Sequence, residues 1–298
     1  MLNQFCAICD KNNYTVLYKA NFNINNINER IFSARRLPDR IHYRIVKCNT
    51  CGLVYSNPIL PYQVIEKLYK KSFTGYKQQI ESLKKTYGYY LKQLDRYKVS
   101  KDKLLEIGCG NGFFLEEALN QGYKQVYGVE PGEKSVAKAK PAIKKNIKVD
   151  VFKPNLFPKN FLDVICCFQT FDHLVDPNAV LKECYRILKP AGFLLFLNHD
   201  IGSLTAYLLK ERSPIVDIEH TYLYDRKTMS KLMDKHRFKT ILTENALAYH
   251  QLAYWLYLFP LPNSLKLFII KVLAYLSIDK LELKIYPGNL VIIAKKPG

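Results

Sequence analysis

Residues 104–112 join an apolar run to a turn that holds three glycines in five residues. Glycine lets a backbone approach a bulky ligand closely, and the N-terminus of a following helix offers free N–H groups. A second apolar run, residues 125–129, ends on Glu130, eighteen residues after Gly112. A carboxylate at about this separation can accept both hydroxyls of a ribose. The pattern predicts a site for a cofactor that contains a nucleoside.

Two cysteine pairs, Cys6 with Cys9 and Cys48 with Cys51, share a two-residue spacing. A turn of this kind directs both thiolates at one ion, and two such turns supply the four sulfur ligands of a structural zinc. The 38 residues between the pairs are more than a compact ribbon contains, so a hairpin or loop must extend between them. The alternative is a set of unconnected thiols. We expect a structural zinc with no open position for chemistry.

The composition indicates a globular chain, with 298 residues, 48% hydrophobic and 24% charged. This length allows an α/β core and a smaller module. No apolar signal segment follows Met1, so we expect a cytoplasmic protein. Eight cysteines in such a chain indicate metal binding or free thiols rather than disulfides.

The formal net charge of +19 is compatible with a nucleic-acid or membrane partner. The lysines, however, occur as scattered doublets and not as one dense stripe. This distribution argues against specific nucleic-acid binding and favours a small, anionic acceptor as the partner.

Strand-like and helix-like segments alternate between residues 100 and 200. Repeated βαβ units predict a parallel sheet with helices on both faces and ligands at the carboxyl ends of the strands. The predicted strands are residues 103–107, 125–130, 162–168 and 193–198, and the predicted helices are residues 112–121, 133–140 and 177–188.

Residues 62–98 are polar, with apolar positions at helical spacing, and predict two helices broken around residues 72–75. Tyr76, beside the break, is a candidate pocket residue. We therefore divide the chain into three parts: a zinc-binding module at residues 1–60, a helical connector at 61–99, and a larger domain at 100–298 with a lid or insert at about 200–285.

The residue before the glycine turn distinguishes between cofactors. A dinucleotide fingerprint has the form G-x-G-x-x-G, whereas this turn has glycines at 108, 110 and 112 and is preceded by Glu106. A carboxylate there would repel a pyrophosphate but suits a ligand that carries an ammonium group. This difference favours S-adenosylmethionine over NAD.

Residues 105–112 resemble motif I of the class I S-adenosylmethionine-dependent methyltransferases. Residues 161–177 are similar to the family's fourth-strand block, and residues 181–193 resemble the helix and turn before its fifth strand. Residues 289–295 resemble its last, antiparallel strand. The resemblance implies an α/β, Rossmann-like sheet of seven mostly parallel strands with an antiparallel last strand, and it implies methyl transfer.

The cysteine pairs and residues 51–58 look like the zinc-binding lead domain of a methyltransferase subgroup that includes sugar C-methyltransferases. This resemblance implies a small-molecule acceptor, such as a sugar or nucleotide sugar in glycan or natural-product biosynthesis. It places Asp150 near the adenine. The cofactor contacts that it implies are Glu106, Gly108, Cys109, Gly110, Glu130 and Gln169.

A general base is needed only if the acceptor must lose a proton to become nucleophilic. The segment with Glu219 and His220 resembles the subgroup's Glu-His pair, which implies that His220 is the base and Glu219 its helper. The alternative for this segment is a packing or lid element. His173 is a second candidate unless it caps the next helix, and His199 is a weaker third. Asp217 stands where a tyrosine is expected in sugar C-methyltransferases, which counts against ketosugar chemistry.

Residues 249–257 and 265–276 are rich in aromatic and aliphatic side chains, but prolines and lysines interrupt them. One interpretation is a pair of core or lid helices over the pocket. The other is a basic, amphipathic hairpin in peripheral contact with the inner membrane surface through residues 249–276, with Trp255, Tyr257 and Phe259 at the interface.

Three other functions stay open. The net charge favours a nucleic-acid methyltransferase acting on tRNA or rRNA, but residues 168–171 lack the Asn/Asp-Pro-Pro-aromatic motif and no Pro-Cys nucleophile is present. The C-terminal apolar segments favour a methyltransferase of a lipid-linked glycan at the membrane. A non-catalytic zinc-bearing scaffold is the third, and the intact Glu106 and Glu130 argue against it.

Overall fold

The computed structural model describes residues 1–298 except 24–26, 28–30, 33–39, 72–79, 254–255, 257–260 and 280. The strands in the described residues are β1 Tyr14–Tyr18, β2 Ile45–Cys48, β3 Val54–Ser56, β4 Lys103–Ile107, β5 Gln125–Val129, β6 Ile147–Lys148, β7 Leu162–Phe168, β8 Leu188–His199, β9 Tyr222–Leu223, β10 Lys239–Gln251 and β11 Glu282–Lys295. The helices are α1 Tyr62–Lys71, α2 Ile80–Gln93, α3 Phe113–Asn120, α4 Glu133–Val136, α5 Pro141–Lys144, α6 Pro177–Ile187, α7 Leu204–Leu209, α8 Arg226–Lys235 and α9 Asn263–Tyr275.

Seven strands form the larger sheet, in the order β10-β11-β8-β7-β4-β5-β6. β4 pairs in parallel with β5 on one side and with β7 on the other, so the strand order reverses at β4. β11 runs antiparallel to both of its neighbours, β8 and β10. The predicted fold class is confirmed: the protein has an α/β, Rossmann-like sheet of seven mostly parallel strands with an antiparallel last strand.

The alternation of side chains along β4 explains the layers on the two faces of this sheet. Leu105 and Ile107 pack into one apolar core, whereas Leu104 packs into the other. All seven residues of β7 are buried. A parallel sheet covered on both faces needs such continuously apolar strands, which the sequence supplies.

A smaller antiparallel sheet, in the order β1-β2-β3-β9, contains the N-terminal strands. Its last strand, β9, comes from residues 222–223, which directly follow the Glu-His segment. Tyr55 of β3 stacks on Tyr222 with 6.2 Å between ring centroids, and the Ser56 hydroxyl donates to the His220 carbonyl oxygen at 2.9 Å. The N-terminal module therefore braces the segment that carries His220. The predicted division at residue 60 stays a prediction.

Some elements end at residues other than those expected. The helix expected over residues 133–140 ends at Val136, and Lys140 is extended because a residue before proline disfavours helical backbone. β11 is longer than expected, because it begins at Glu282, seven residues before Asn289, and β10, for which no strand was predicted, continues to Gln251. These two outer portions pair with each other, which is why residues 249–251 are strand and not helix.

The lid expected at about residues 200–285 also stays a prediction, although within that span β10 belongs to the larger sheet. No helix in the described parts of the chain has the length and apolar character needed to cross a membrane.

Candidate functional site

A cavity of about 610 Å³ opens at the carboxyl ends of β4, β5, β7 and β8, where an open α/β sheet binds its ligands. This volume lies in the range of small-molecule and cofactor sites. The structure brings eight of the predicted site residues to the cavity wall: Glu106, Gly108, Cys109, Glu130, Gln169, His173, Glu219 and His220.

The glycine turn follows β4 directly and has a backbone that only glycine adopts without strain. Gly108 has φ 76°, and a Cβ there would lie 2.4 Å from the Thr170 hydroxyl oxygen. Gly112 has φ 75°, and a Cβ there would lie 2.7 Å from Cγ2 of Ile143. A side chain at either position would clash, so these glycines keep the turn close to its neighbours and leave its backbone open to a ligand.

Glu130, at the end of β5, holds this turn in place. One carboxylate oxygen accepts the Gly110 N–H at 2.9 Å, and the other accepts the Gly132 N–H at 2.8 Å. Burial raises the pKa of Glu130, and these two donors oppose the rise. Each carboxylate oxygen can accept a second hydrogen bond, so the two hydroxyls of a ribose can still be bound here.

Glu106 is a buried carboxyl of the cavity wall, with only 3% of its surface exposed. Its Oε2 has no hydrogen-bond partner in the described residues. Burial, and then the charge of Glu130, raise the pKa of Glu106 well above its ordinary value. A buried carboxyl with an unpaired oxygen is costly, and a cationic ligand would restore its charge and its missing partner.

The other predicted cofactor residues, Cys109, Gln169 and Asp150, each have a different environment. Cys109 lines the cavity, but its sulfur lies over Gly128. Gln169 follows β7 with φ 47°. Asp150 forms an ion pair with Lys153 at 2.5 Å, and the nearby wall consists of Val151 and Phe152.

Tyr87 is a wall residue that the sequence reasoning missed. Its ring stacks on Phe168 with 4.2 Å between centroids, and its hydroxyl donates to Oε1 of Gln169 at 3.5 Å. The signal available in the sequence was only the helical spacing of apolar positions, which does not distinguish a wall residue from a core residue. Tyr76, the predicted pocket tyrosine, lies outside the described residues.

Asp172 and His199 form a hydrogen-bonded pair at the other end of the cavity. Nδ1 of His199 lies 2.7 Å from Oδ2 of Asp172, and Asp172 is fully buried. Burial opposes ionisation of Asp172, but the nearby His199 outweighs it and holds the pKa of that carboxyl well below its usual range. An ionised carboxylate only accepts hydrogen bonds, so Nδ1 of His199 donates to Asp172.

His220 lies between the two other histidines. Its ring centroid is 4.6 Å from that of His199 and 4.7 Å from that of His173. Its Nδ1 donates to the Ile215 carbonyl oxygen at 2.7 Å. Burial, and then the charge of His199, lower the pKa of His220. His220 is therefore neutral, and its orienting partner is a backbone carbonyl.

His173 occupies a short 3-10 turn after β7, and its Nδ1 lies 3.1 Å from the Tyr69 hydroxyl. The alternative that His173 caps the next helix is wrong, because Asp176 caps α6 by accepting the Ala179 N–H. Asp217, in the place of the expected tyrosine, accepts the Glu219 N–H at 3.0 Å.

Carboxylates dominate the charge of the cavity wall. The described lining residues include a single lysine, Lys153, and no arginine. The carboxylates among them are Glu66, Glu106, Glu130, Asp176, Glu183, Asp217 and Glu219. Such a wall suits a cation at one end and hydroxyl groups at the other, since carboxylates accept hydrogen bonds from both.

The four N-terminal cysteines form a separate cluster. The sulfurs of Cys6 and Cys51 are 3.2 Å apart, those of Cys9 and Cys48 are 3.5 Å apart, and all four lie within 4.8 Å of one another. A zinc tetrahedron with bonds of about 2.3 Å has sulfur–sulfur edges of about 3.8 Å. Burial opposes ionisation of Cys48, but N–H groups of Cys51 and Thr50 outweigh it and lower its pKa to about 6. The cluster is compatible with zinc.

A family model described as a methyltransferase domain matches residues 105–196 of this chain. Two curated relatives are ubiquinone biosynthesis O-methyltransferases, 31% identical over 109 residues in Pseudomonas entomophila and 30% identical over 109 residues in Pseudomonas fluorescens. Each match covers 34% of this chain and 46% of the relative. The similarity therefore spans less than half the length of these relatives.

Solved structures with a similar fold include two S-adenosylmethionine-dependent methyltransferases. The protein from Archaeoglobus fulgidus is 18% identical, with a TM-score of 0.49 over 74% of this chain and 98% of the other. The protein from Aquifex aeolicus is 18% identical, with a TM-score of 0.45 over 70% of this chain and 89% of the other.

Proposed function

We propose that this chain, which carries a class I methyltransferase domain, transfers a methyl group from S-adenosylmethionine to a hydroxyl of a small molecule, with a sugar or nucleotide sugar as the acceptor. One observation carries the proposal. The buried Glu106, whose Oε2 has no hydrogen-bond partner in the described residues, and His199, the partner of Asp172, line the same cavity. One end of the cavity thus suits a cationic cofactor, and the other can take a proton from an acceptor.

The residues at the cofactor end fit S-adenosylmethionine. Glu106 would bind the ammonium group, Glu130 the ribose hydroxyls, and the backbone of Gly108, Cys109 and Gly110 would contact the methionine moiety. Gln169 would lie beside that moiety. The bound cofactor supplies a methyl group already activated by the sulfonium charge, so the protein contributes mainly position.

At the acceptor end, His199 would take the proton of the attacking hydroxyl on Nε2 while the new C–O bond forms and the S–C bond breaks. Asp172 is a positioning residue, because it holds the imidazole by Nδ1 and stabilises the imidazolium that results. The neutral His220, together with Glu219 and His173, would contact the acceptor. Because the lowered pKa of His220 makes it a weaker base than an ordinary histidine, and because Asp172 holds Nδ1 of His199, we assign the proton to His199.

The acid-rich wall supports an acceptor with several hydroxyl groups in the cavity. Carboxylates of Glu66, Asp217 and Glu219 can accept hydrogen bonds from sugar hydroxyls, whereas a phosphate would be repelled by them. The anionic part of a nucleotide sugar would therefore lie at Lys153 or outside the cavity.

An assay with labelled S-adenosylmethionine and a panel of free sugars, nucleotide sugars and quinols tests the acceptor class. We expect a mass gain of one methyl group on a sugar-containing acceptor. Label transferred only to tRNA or rRNA would overturn the acceptor assignment. Calorimetry that finds no S-adenosylmethionine binding would overturn the proposal as a whole.

The histidine cluster could hold a metal ion instead. Ligand atoms of Asp172, His199 and His220 lie within 4.8 Å of one another, and two histidines with one carboxylate form a common metal-binding set. The hydrogen bond between Nδ1 of His199 and Oδ2 of Asp172 favours proton transfer, whereas Oδ1 of Asp172, which has no hydrogen-bond partner in the described residues, favours the metal. The metal content of a His199→Ala variant decides between proton transfer and metal binding. If His199 transfers a proton, the variant should contain as much metal as the wild type. Loss of one metal ion per chain would contradict the proton-transfer assignment.

We further propose that Cys6, Cys9, Cys48 and Cys51 bind one structural zinc. A Cys48→Ser variant is expected to lose the zinc and to melt at least about 5 °C lower, since structural zinc contributes directly to folding and 1 kcal/mol corresponds to about 2–4 °C in a domain of this size. Elemental analysis and calorimetry measure both changes.

The control is Cys184→Ala, which removes a buried thiol elsewhere and should keep the zinc. A zinc-free wild-type chain would refute the assignment.

A further inference from the structure

Helix α9 exposes an apolar stripe. Leu265, Phe268, Val272 and Tyr275 follow one another at spacings of three, four and three residues, which places them on one face of the helix. This stripe normally packs against a core, yet here its members are 40–89% exposed. The side chains of Ile269, Ile270 and Leu273, which point in other directions, are less exposed. The most exposed face of α9 is thus apolar.

Helix α7 adds a second apolar surface of the same kind. Leu204, Tyr207 and Leu208 are 65–73% exposed, although each is large. The start of α7 packs on the β10–β11 hairpin. The approach is close, since a Cβ at Gly288 would lie 2.6 Å from the Thr205 hydroxyl oxygen. We use "the α7–α9 surface" for these three residues of α7 together with the four-residue stripe of α9.

Both helices lie beyond the edge of the sheet at which the cavity opens. Asn289 of β11 pairs with His199, the last residue of β8. Residues 282–285 of β11 therefore continue past that edge, paired with β10 alone. Helix α9 connects the outer ends of this hairpin, and α7 follows β8 directly. The α7–α9 surface thus stands at the end of the molecule that carries the cavity.

The two helices themselves contain no acidic residue, although Glu211 follows α7 and Asp279 follows α9. Helix α9 carries Lys266 and Lys271 and no acidic residue, and the whole chain has a formal net charge of +19. An interface between two copies of α9 would bring these like charges together, whereas coiled-coil seams are flanked by opposite charges. The stripe is bordered by the exposed Lys271, and this border, on a chain with a net charge of +19, instead matches an anionic lipid surface, where a helix buries its apolar side and basic side chains contact headgroups.

We propose that the α7–α9 surface docks the protein on an anionic membrane. The two helices would lie in the interfacial region of the bilayer, with Tyr207 and Tyr275 at headgroup level, as aromatic side chains with a polar tip prefer. The cavity then opens close to the lipid surface. Trp255, Tyr257 and Phe259, the aromatic residues first expected at an interface, lie outside the described residues and are not part of this argument.

Co-sedimentation of the full chain with vesicles tests the proposal. The wild type should bind vesicles of phosphatidylcholine mixed with phosphatidylglycerol at least about tenfold more tightly than vesicles of phosphatidylcholine alone, and high salt should weaken the binding. A Phe268→Gln/Val272→Gln variant should lose at least about tenfold in binding to the anionic vesicles. The matched control, Val16→Gln/Leu17→Gln, changes two exposed apolar residues of β1 and should bind as the wild type does.

Three results would overturn the proposal. In the first, the wild type does not sediment with anionic vesicles. In the second, the α9 variant sediments as well as the wild type does. In the third, the wild type is a dimer that the α9 substitutions abolish, and neither the wild type nor the variant binds lipid. S-adenosylmethionine binding, measured by calorimetry, should be the same in the wild type and both variants, which shows that they are folded. This readout also separates the two proposals, because vesicle binding without cofactor binding would refute only methyl transfer.

Discussion

A Glu106→Gln variant is expected to bind S-adenosylmethionine at least about 100-fold more weakly than the wild type. The carboxylate is buried, and removal of one partner of a buried ion pair costs about 3–5 kcal/mol. Glutamine keeps the size of the side chain but not the charge that the ammonium group requires. Calorimetric titration with the cofactor measures the loss.

The same substitution should stabilise the protein in the absence of cofactor. Because the pKa of Glu106 is raised in the folded state, the wild type loses stability as the pH rises from the ordinary range of a glutamate through that raised pKa. Glutamine does not ionise, so the variant should melt at a higher temperature than the wild type at pH 7.5, and the difference should narrow toward pH 5. Thermal unfolding across this pH range measures it.

The matched control is Glu116→Gln, which removes a carboxylate that pairs with Lys140 on the surface. It should change neither cofactor affinity nor the pH dependence of unfolding. If Glu106→Gln bound the cofactor as tightly as the wild type, the assignment of Glu106 to the ammonium group would be wrong.

A His199→Ala variant is expected to lower kcat by about 10²–10⁴-fold, the usual contribution of a positioned general base. Asp172→Asn should lower kcat less than His199→Ala does. It lowers kcat because the asparagine can donate to the imidazole and thereby favours the wrong tautomer. Both variants should bind S-adenosylmethionine with unchanged affinity, because neither residue is proposed to contact it. Steady-state kinetics with the acceptor found in the panel assay, together with calorimetry, separates the two effects.

A spectroscopic measurement distinguishes the role of Asp172 from a merely structural one. Nitrogen NMR of the wild type should show the His199 proton on Nδ1, and Asp172→Asn should shift it toward Nε2. His236→Asn is the control, because His236 contacts Asn178 away from the cavity and should leave kcat unchanged. A full loss of activity in His220→Ala, combined with normal activity in His199→Ala, would return the base to His220.

The sequence carried much of the information on the fold and the cofactor end. The strand and helix pattern over residues 100–200, with the family resemblance, predicted the sheet that the structure shows. This works because strands buried on both faces of a parallel sheet are mostly apolar, with Glu106 of β4 and Asp163 of β7 as exceptions, and because the turn after β4 requires glycine. Glu106 and Glu130 sit within 25 residues of each other on adjacent strands, so local spacing was enough to place them in one site.

The arrangement of Asp172, His199 and His220 depends on contacts between residues that are far apart in the chain. Asp172 and His199 end or follow the neighbouring strands β7 and β8, so their proximity could have been predicted from the strand order. The hydrogen bond between them could not, because it depends on side-chain direction. The same is true of His220: its orienting group is the Ile215 carbonyl and not the adjacent Glu219 side chain, and burial decides its pKa.

The sequence by itself predicted a nucleoside-bearing, cationic cofactor beside β4 and determined that four cysteines have metal-ligand spacing. These properties follow from short-range patterns of glycine, carboxylate and thiol. The tertiary structure decided which histidine has a carboxylate partner, which cysteines meet, and which apolar residues stay exposed on α7 and α9. Partner choice and burial depend on residues far apart in the chain, and only the packed fold brings those residues together.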